Sequence, residues 1–460
     1  MTFDADTLRA WDAQHSWHPF TPMQQYLESD PVMIARADGV RLQDTDGNWY
    51  FDGTSSVWLN VHGHRVARID DAIRAQLDQI AHSTMLGQAN VPATVLAREL
   101  VSIVPDGLTR AQFSDSGATA VEIAIKIAIQ YFANQDRPEK RRILGFEHNY
   151  HGDTLGAMAV APDALFHWPF IDMLPDHPRA PFPLRMDVPL VTPEMTCPGS
   201  AMEPIRTILE REHQQLAAII IEPVQGAGGI RPAEPGTLRA LRELCDSYDV
   251  LLIVDEVATG FGRTGWPFAC TAEHMTPDLL CLGKGLTGGY LPVAATMATE
   301  RIYETFLGPI DARRTLYHGH SYAGNQLGCA AALANLELCA DLFPRVPKKV
   351  HHFTDAVRAF VEAPYAGQIR HRGMMLGIDV VADAHEGIPF HWSRRAGYAV
   401  ADAARKRGLL VRPIGSTVIL MPPLASTESE LAEMTSILRG AFDDAAPTLE
   451  AWAKAEVATS

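Results

Sequence analysis

Five short apolar runs recur through the middle of the chain: Ile143-Leu-Gly-Phe146, Ala217-Ala-Ile-Ile-Ile221, Val250-Leu-Leu-Ile-Val254, Leu279-Leu-Cys-Leu282 and Val293-Ala-Ala-Thr-Met297. Each is strand-sized and near-continuously apolar, which is how a strand covered on both faces reads. Segments long enough for helices separate them. Strand and helix signals that alternate in this way predict a largely parallel sheet wrapped by helices, a doubly wound α/β domain.

With 460 residues, the chain has material for one large domain and a smaller one. From about residue 335 the pattern changes. A helix-like stretch ends near Phe360, the segment Ile369 to Asp379 reads as a strand pair, and Gly408-Leu-Leu-Val-Arg412 and Val418-Ile-Leu-Met421 bracket a turn before a capped helix from Ser426. Near the other terminus, Asp46-Gly47 between two alternating stretches signals a hairpin. The expected organisation is a segment 1–70 that joins a small α+β domain at 336–460, both packed on a large domain at 71–335.

Charge and cysteine usage exclude several classes. Thirty-nine Lys+Arg against 55 Asp+Glu give a net charge of -16, which disfavours a nucleic-acid backbone as partner. The acidic start lacks a signal-peptide pattern and no apolar run reaches about 18 residues, so no membrane span and a cytoplasmic location are expected. The six cysteines are dispersed without a C-x-x-C pair, which predicts buried free thiols and no metal site.

Two of the apolar runs end on ionisable residues. Val250-Leu-Leu-Ile-Val-Asp255 delivers a carboxylate, and Leu279-Leu-Cys-Leu-Gly-Lys284 an amine, to the carboxyl edge where ligands of open α/β sheets bind. Pyridoxal phosphate uses such a pair: the lysine binds its aldehyde, and the aspartate keeps its ring nitrogen protonated. Gly283 and Gly285 flank the lysine, as expected where a ligand crowds the backbone. Ser116, Gly117 and Ala118 open an apolar helix and form a candidate phosphate cradle, although a plain Ser/Thr cap has the same signature. Tyr150, with His151 and Asp153, follows the run at 143–146, so its ring is a candidate to stack on the pyridine, a surface turn being the alternative.

The string Asp255-Glu-Val…Gly260-Phe-Gly-Arg-Thr-Gly265…Gly283-Lys284-Gly285 resembles the class III, fold type I, pyridoxal-phosphate-dependent aminotransferases. Trp17-His-Pro-Phe20, Ser55-Ser-Val57-Trp58, Tyr150-His-Gly-Asp153, Glu222-Pro-Val-Gln-Gly226 and Arg412-Pro413 are most similar to the family's biotin-pathway branch. The resemblance implies a cofactor-bearing Lys284 that also moves protons, Asp255 at the ring nitrogen and Glu222 near the cofactor's O3′ side. It implies cofactor contacts from Ser116, Gly117, Ala118, Tyr150, His151 and, reaching across a homodimer, Gly319, His320 and Ser321. Phe20, Val57, Trp58, Tyr150, Asp153, Gly319 and Arg412 would line the substrate site, with Arg412 on a carboxylate. The partners implied are a small-molecule amino donor and a keto acceptor. An ω-amine or ω-amino-acid transaminase using pyruvate shares Lys284, Asp255 and Tyr150 and is the alternative. Members using S-adenosylmethionine carry Tyr and paired Trp where this chain has Phe20 and Val57-Trp58, which leaves the donor open between S-adenosylmethionine and lysine. His320-Ser321-Tyr322 also replaces the more usual Pro-Thr-Phe and keeps a hydroxyl at Ser321.

Overall fold

All five apolar runs become neighbouring strands of one sheet. The computed structural model describes residues 3–163 and 166–457. In chain order the seven strands are β1 (Leu108–Ser114), β2 (Arg142–Phe146), β3 (Arg179–Ala180), β4 (Leu216–Ile221), β5 (Leu251–Asp255), β6 (Leu279–Leu282) and β7 (Ala294–Thr299). They lie side by side as β1-β7-β6-β5-β4-β2-β3. Pairing is parallel throughout except at β7, which runs antiparallel to both β6 and β1. The run at 293–297 therefore breaks the parallel pattern, because the link from Leu282 to Ala294 is too short to carry a crossover helix.

Alternation along the strands divides the core in two. Leu251, Ile253, Leu279, Cys281, Ala218 and Ile220 pack with the helix Gly117–Ala133 on one face. Leu252, Val254, Leu280, Leu282, Ile219 and Ile221 face the opposite layer, which includes Leu96 and Leu100 of the helix Val91–Ile103. Successive residues of a strand point to opposite faces, so an unbroken apolar run is what a doubly covered sheet requires. Each fully buried Leu, Ile or Val among them contributes roughly 1.5–3 kcal/mol.

The terminal segments share sheets and a layer of helices. Arg41–Asp44 and Trp49–Asp52 form the expected hairpin around Gly47, and Leu409–Leu410 adds parallel to its second strand with Leu409 opposite Phe51. Ala366–Arg372 and Met375–Asp383 pair antiparallel, with Thr417–Leu420 on the outer side. The helix Glu428–Val457 packs along Ala396–Lys406, and Thr427 and Glu430 exchange capping hydrogen bonds at its start. One helical stretch, Gln326–Phe360, passes for a membrane span by length and composition, although Glu337 and Asp341 interrupt its apolar residues. Half of its most apolar window is buried, and its first helix packs on Ala67–Leu77 and Val91–Ile103, as a core helix does. All six cysteines are free and five are buried.

Candidate active site

The carboxyl edge of β5 and β6 brings buried Asp255 and half-buried Lys284 to the same side of the sheet. Lys284 begins a tight turn with φ 40°, directly after β6. Burial lowers its proton affinity, opposed by the charges of Asp255 and Glu222. Among the described residues its amine has no hydrogen-bond or ion-pair partner; it lies 4.5 Å from the centre of the Trp58 ring. An unpaired lysine amine whose proton affinity is lowered gives up its proton more readily than a solvated one, as a nucleophile must.

The flanking glycines lie against the protein itself, Gly285 more tightly than Gly283. A Cβ at Gly285 would meet Phe261 at 3.2 Å and Val61 at 3.3 Å, and one at Gly283 would meet Val257 at 3.4 Å and the Gly117 backbone at 3.5 Å. The lysine turn thus packs directly on the start of the helix Gly117–Ala133.

Asp255 accepts the Val257 N–H at 3.0 Å on Oδ1 and pairs through Oδ2 with His151 Nδ1 at 2.8 Å. Its neighbour Glu256 points away and accepts the N–H groups of Ala269 and Cys270 and the Thr259 hydroxyl, so one acid of the pair is structural. Glu222, wholly buried, accepts N–H bonds from Tyr150 at 2.8 Å and Gly226 at 3.1 Å. Burial, opposed by His151 and by these hydrogen bonds and reinforced by the Asp255 charge, pushes it up to about 7.

At the helix start Ser116 forms a capping box with Thr119, so the plain cap reading holds geometrically. That box satisfies Thr119 and leaves the N–H groups of Gly117 and Ala118 facing outward, as the first turn of any helix does. His320 Nδ1 lies 2.9 Å from Asp115 beside this turn, the Ser321 carbonyl accepts from His82, and Gly319 sits against Leu86. Within the chain these three have no bond to Ser116, Gly117 or Ala118.

Tyr150 donates its hydroxyl to Asp153 at 2.8 Å, and burial, then that hydrogen bond, raises its pKa. Phe20 stands edge-on to it at 6.4 Å and edge-on to Phe166 at 5.9 Å, an aromatic wall whose third member no sequence motif marks. Arg412 is exposed, has no ion pair among the described residues, and is near enough for its charge to act on Tyr150.

Trp58 is held by an unusual turn. Ser55, Ser56, Val57 and Trp58 have φ of 50, 50, 66 and 72°, a left-handed helical turn without glycine. Such a conformation costs about 1–2 kcal/mol per residue, and nothing in the residue types announces it. Buried Asp52 offsets the strain: its Oδ1 accepts the Ser56 N–H and its Oδ2 the Ser56 hydroxyl, each at 2.8 Å, and Oδ2 also lies 3.0 Å from His64 Nε2. Ser55 donates to the Met421 carbonyl at 2.6 Å. The Trp58 ring then rests over Gly226, where any Cβ would stand 2.8 Å from it. Asp52→Ala is expected to lose about 1–3 kcal/mol in urea unfolding, since it leaves half-buried donors without their acceptor; a loss under about 0.5 kcal/mol would mean that the turn stands without it.

Residues 24–442 match the aminotransferase class-III family. The chain is 45% identical to adenosylmethionine-8-amino-7-oxononanoate aminotransferase of Nitratidesulfovibrio vulgaris, over 95% of this chain and 81% of that one. It is 42% identical to the protein of the same name from Geobacter sulfurreducens, over 93% and 96% of the two chains. The crystal structure of the Methanocaldococcus jannaschii protein of that name superposes with a TM-score of 0.91 at 40% identity, over 96% of this chain and 99% of the other. A PLP-bound amine transaminase from an uncultivated Pseudomonas species superposes at 0.86 with 33% identity, over 94% and 98%. The chain belongs to the class III aminotransferase family, with the fold type I architecture of its relatives.

Proposed function

We propose that this aminotransferase binds pyridoxal 5′-phosphate and passes an amino group to the ketone of 8-amino-7-oxononanoate, forming 7,8-diaminononanoate for biotin synthesis. The observation that carries the cofactor assignment is the unpartnered Lys284 amine, its proton affinity lowered by burial, at the same strand-end edge as Asp255. These residues fit the group: Lys284 to hold it, Asp255 to face its ring nitrogen, Tyr150 to cover the ring, and the N–H groups of Gly117 and Ala118 to take the phosphate. The bound cofactor supplies an electron sink for the carbon from which the proton is removed. Lys284, once released, takes that proton and returns it, its lowered proton affinity suiting both directions. The substrate reading is supported by the free Arg412 guanidinium at the end of the Phe20–Tyr150–Phe166 wall, which matches an apolar chain ending in a carboxylate.

A homodimer is part of this reading. Leu86, Ile310, Tyr317 and Tyr322, all at least 65% exposed, lie on the two segments that meet around Gly319, His320 and Ser321. Solvent-facing apolar side chains gathered there suit a subunit contact that carries His320 and Ser321 to the partner's phosphate.

S-adenosylmethionine and lysine are the candidate donors. Mixing the loaded enzyme with each separately, then adding 8-amino-7-oxononanoate or pyruvate, tests donor and acceptor together. The expected result is loss of the lysine-bound cofactor's visible absorbance with one of the two donors and its return with 8-amino-7-oxononanoate. Return with pyruvate alone would instead establish an ω-transaminase.

A further inference from the structure

Behind Asp255 lies a buried chain of polar side chains whose direction is fixed at its far end. Gln225 Oε1 lies 3.2 Å from Arg231 Nε, which can only donate. Gln225 Nε2 lies 2.7 Å from the Glu147 carbonyl, which can only accept. The Gln225 amide therefore has one orientation, and its second N–H points at Asn149 Oδ1. That sets the Asn149 amide as well, so its Nδ2 donates to His151 Nε2 at 3.0 Å. His151 Nε2 must then be a lone pair, and the ring proton sits on Nδ1, 2.8 Å from Asp255 Oδ2. All four side chains of the relay proper, Gln225, Asn149, His151 and Asp255, are buried, so water is not at hand to reset any member.

We infer that Gln225 and Asn149 are positioning residues that hold His151 as a neutral Nδ1–H imidazole, so that Asp255 keeps its full negative charge for the ring nitrogen of the cofactor. A histidine in contact with a carboxylate ordinarily gains a proton, since the opposite charge favours the imidazolium. An imidazolium here would screen Asp255 and repel a protonated ring nitrogen. The donor N–H of Asn149 blocks it, because a proton on Nε2 would meet that N–H head-on. The neutral ring still orients Asp255 by donating to it, as outer partners of a charged site do.

The inference rests on the cofactor reading above, and the test separates the two. Neutron diffraction from deuterated crystals of the full chain locates the ring deuterons of His151 without reference to turnover. The expected density is a single deuteron, on Nδ1; deuterons on both nitrogens, or on Nε2 alone, overturn the inference. Gln225→Glu inverts the relay from its far end. An acceptor then faces Asn149, its amide turns, its oxygen faces His151, and Nε2 becomes deuterated. Pyridoxal phosphate, titrated into the cofactor-free variant, should bind about 10- to 100-fold more weakly than to the unaltered chain. Unchanged His151 protonation in Gln225→Glu also overturns the inference. Should that variant fail to fold, Asn149→Asp presents an acceptor to His151 directly and must give the doubly deuterated ring. Failure of the unaltered chain to bind pyridoxal phosphate would refute the cofactor reading instead, whatever the deuteron position.

Discussion

Lys284→Ala is expected to lower amino transfer by at least about 10⁴-fold and to abolish the visible absorbance of the lysine-bound cofactor. Two roles end together, since the same amine holds the cofactor and moves the substrate proton. The fold should survive. Lys284 makes no hydrogen bond or ion pair among the described residues, and its ammonium form is disfavoured by burial, so truncation removes an amine that the native state solvates poorly. A melting temperature close to that of the unaltered chain would show that the loss is chemical. Stopped-flow mixing with donor then checks the first half-reaction, and a variant that keeps both the absorbance and turnover would remove Lys284 from the site.

The parts of this architecture that were legible in the sequence are those set by local chemistry. Apolar runs announced β2, β4, β5, β6 and β7, because strands covered on both faces cannot tolerate polar alternation. Strand ends announced Asp255 and Lys284, because the fold class leaves one edge for ligands. The direction of β7 was hidden in the shortness of one loop. The Asn149–Gln225 contact joins residues 76 apart in sequence, and a hydrogen-bond relay has no periodicity to read. Least visible was the turn at Ser55, Ser56, Val57 and Trp58. Residue types predict a left-handed conformation only where Gly, Asn or Asp supply it, whereas here a local bond from Asp52 and a tertiary one to Met421 hold it. At Gly283 and Gly285 the composition cue marked a close approach, but not the packing of Phe261, Val61 and the Gly117 backbone, which come from distant parts of the chain.

Asp255→Asn is expected to separate holding the cofactor from using it, with turnover reduced by about 10²- to 10³-fold while the lysine-bound absorbance remains. The substitution is isosteric and leaves Lys284 in place. The sign of the electrostatics also favours retention of the amine. The Asp255 charge raises the proton affinity of Lys284 against the effect of burial, so its removal makes the neutral amine more available, and lost turnover cannot be assigned to a lost nucleophile. What disappears is the negative charge facing the ring nitrogen, and with it the stabilisation of charge that develops on the ring as the substrate proton leaves. The amide is also mismatched to its neighbours. Asp255 accepts from both Val257 N–H and His151 Nδ1–H, and an asparagine has one oxygen for those two donors. The His151 Nδ1–H or the Val257 N–H is consequently left facing the amide nitrogen. Single-turnover rates with donor, read alongside the absorbance, check the outcome. A rate within about tenfold of the unaltered chain would mean that the ring nitrogen does not depend on this carboxylate, and simultaneous loss of the absorbance would mean that Asp255 acts mainly in holding the cofactor.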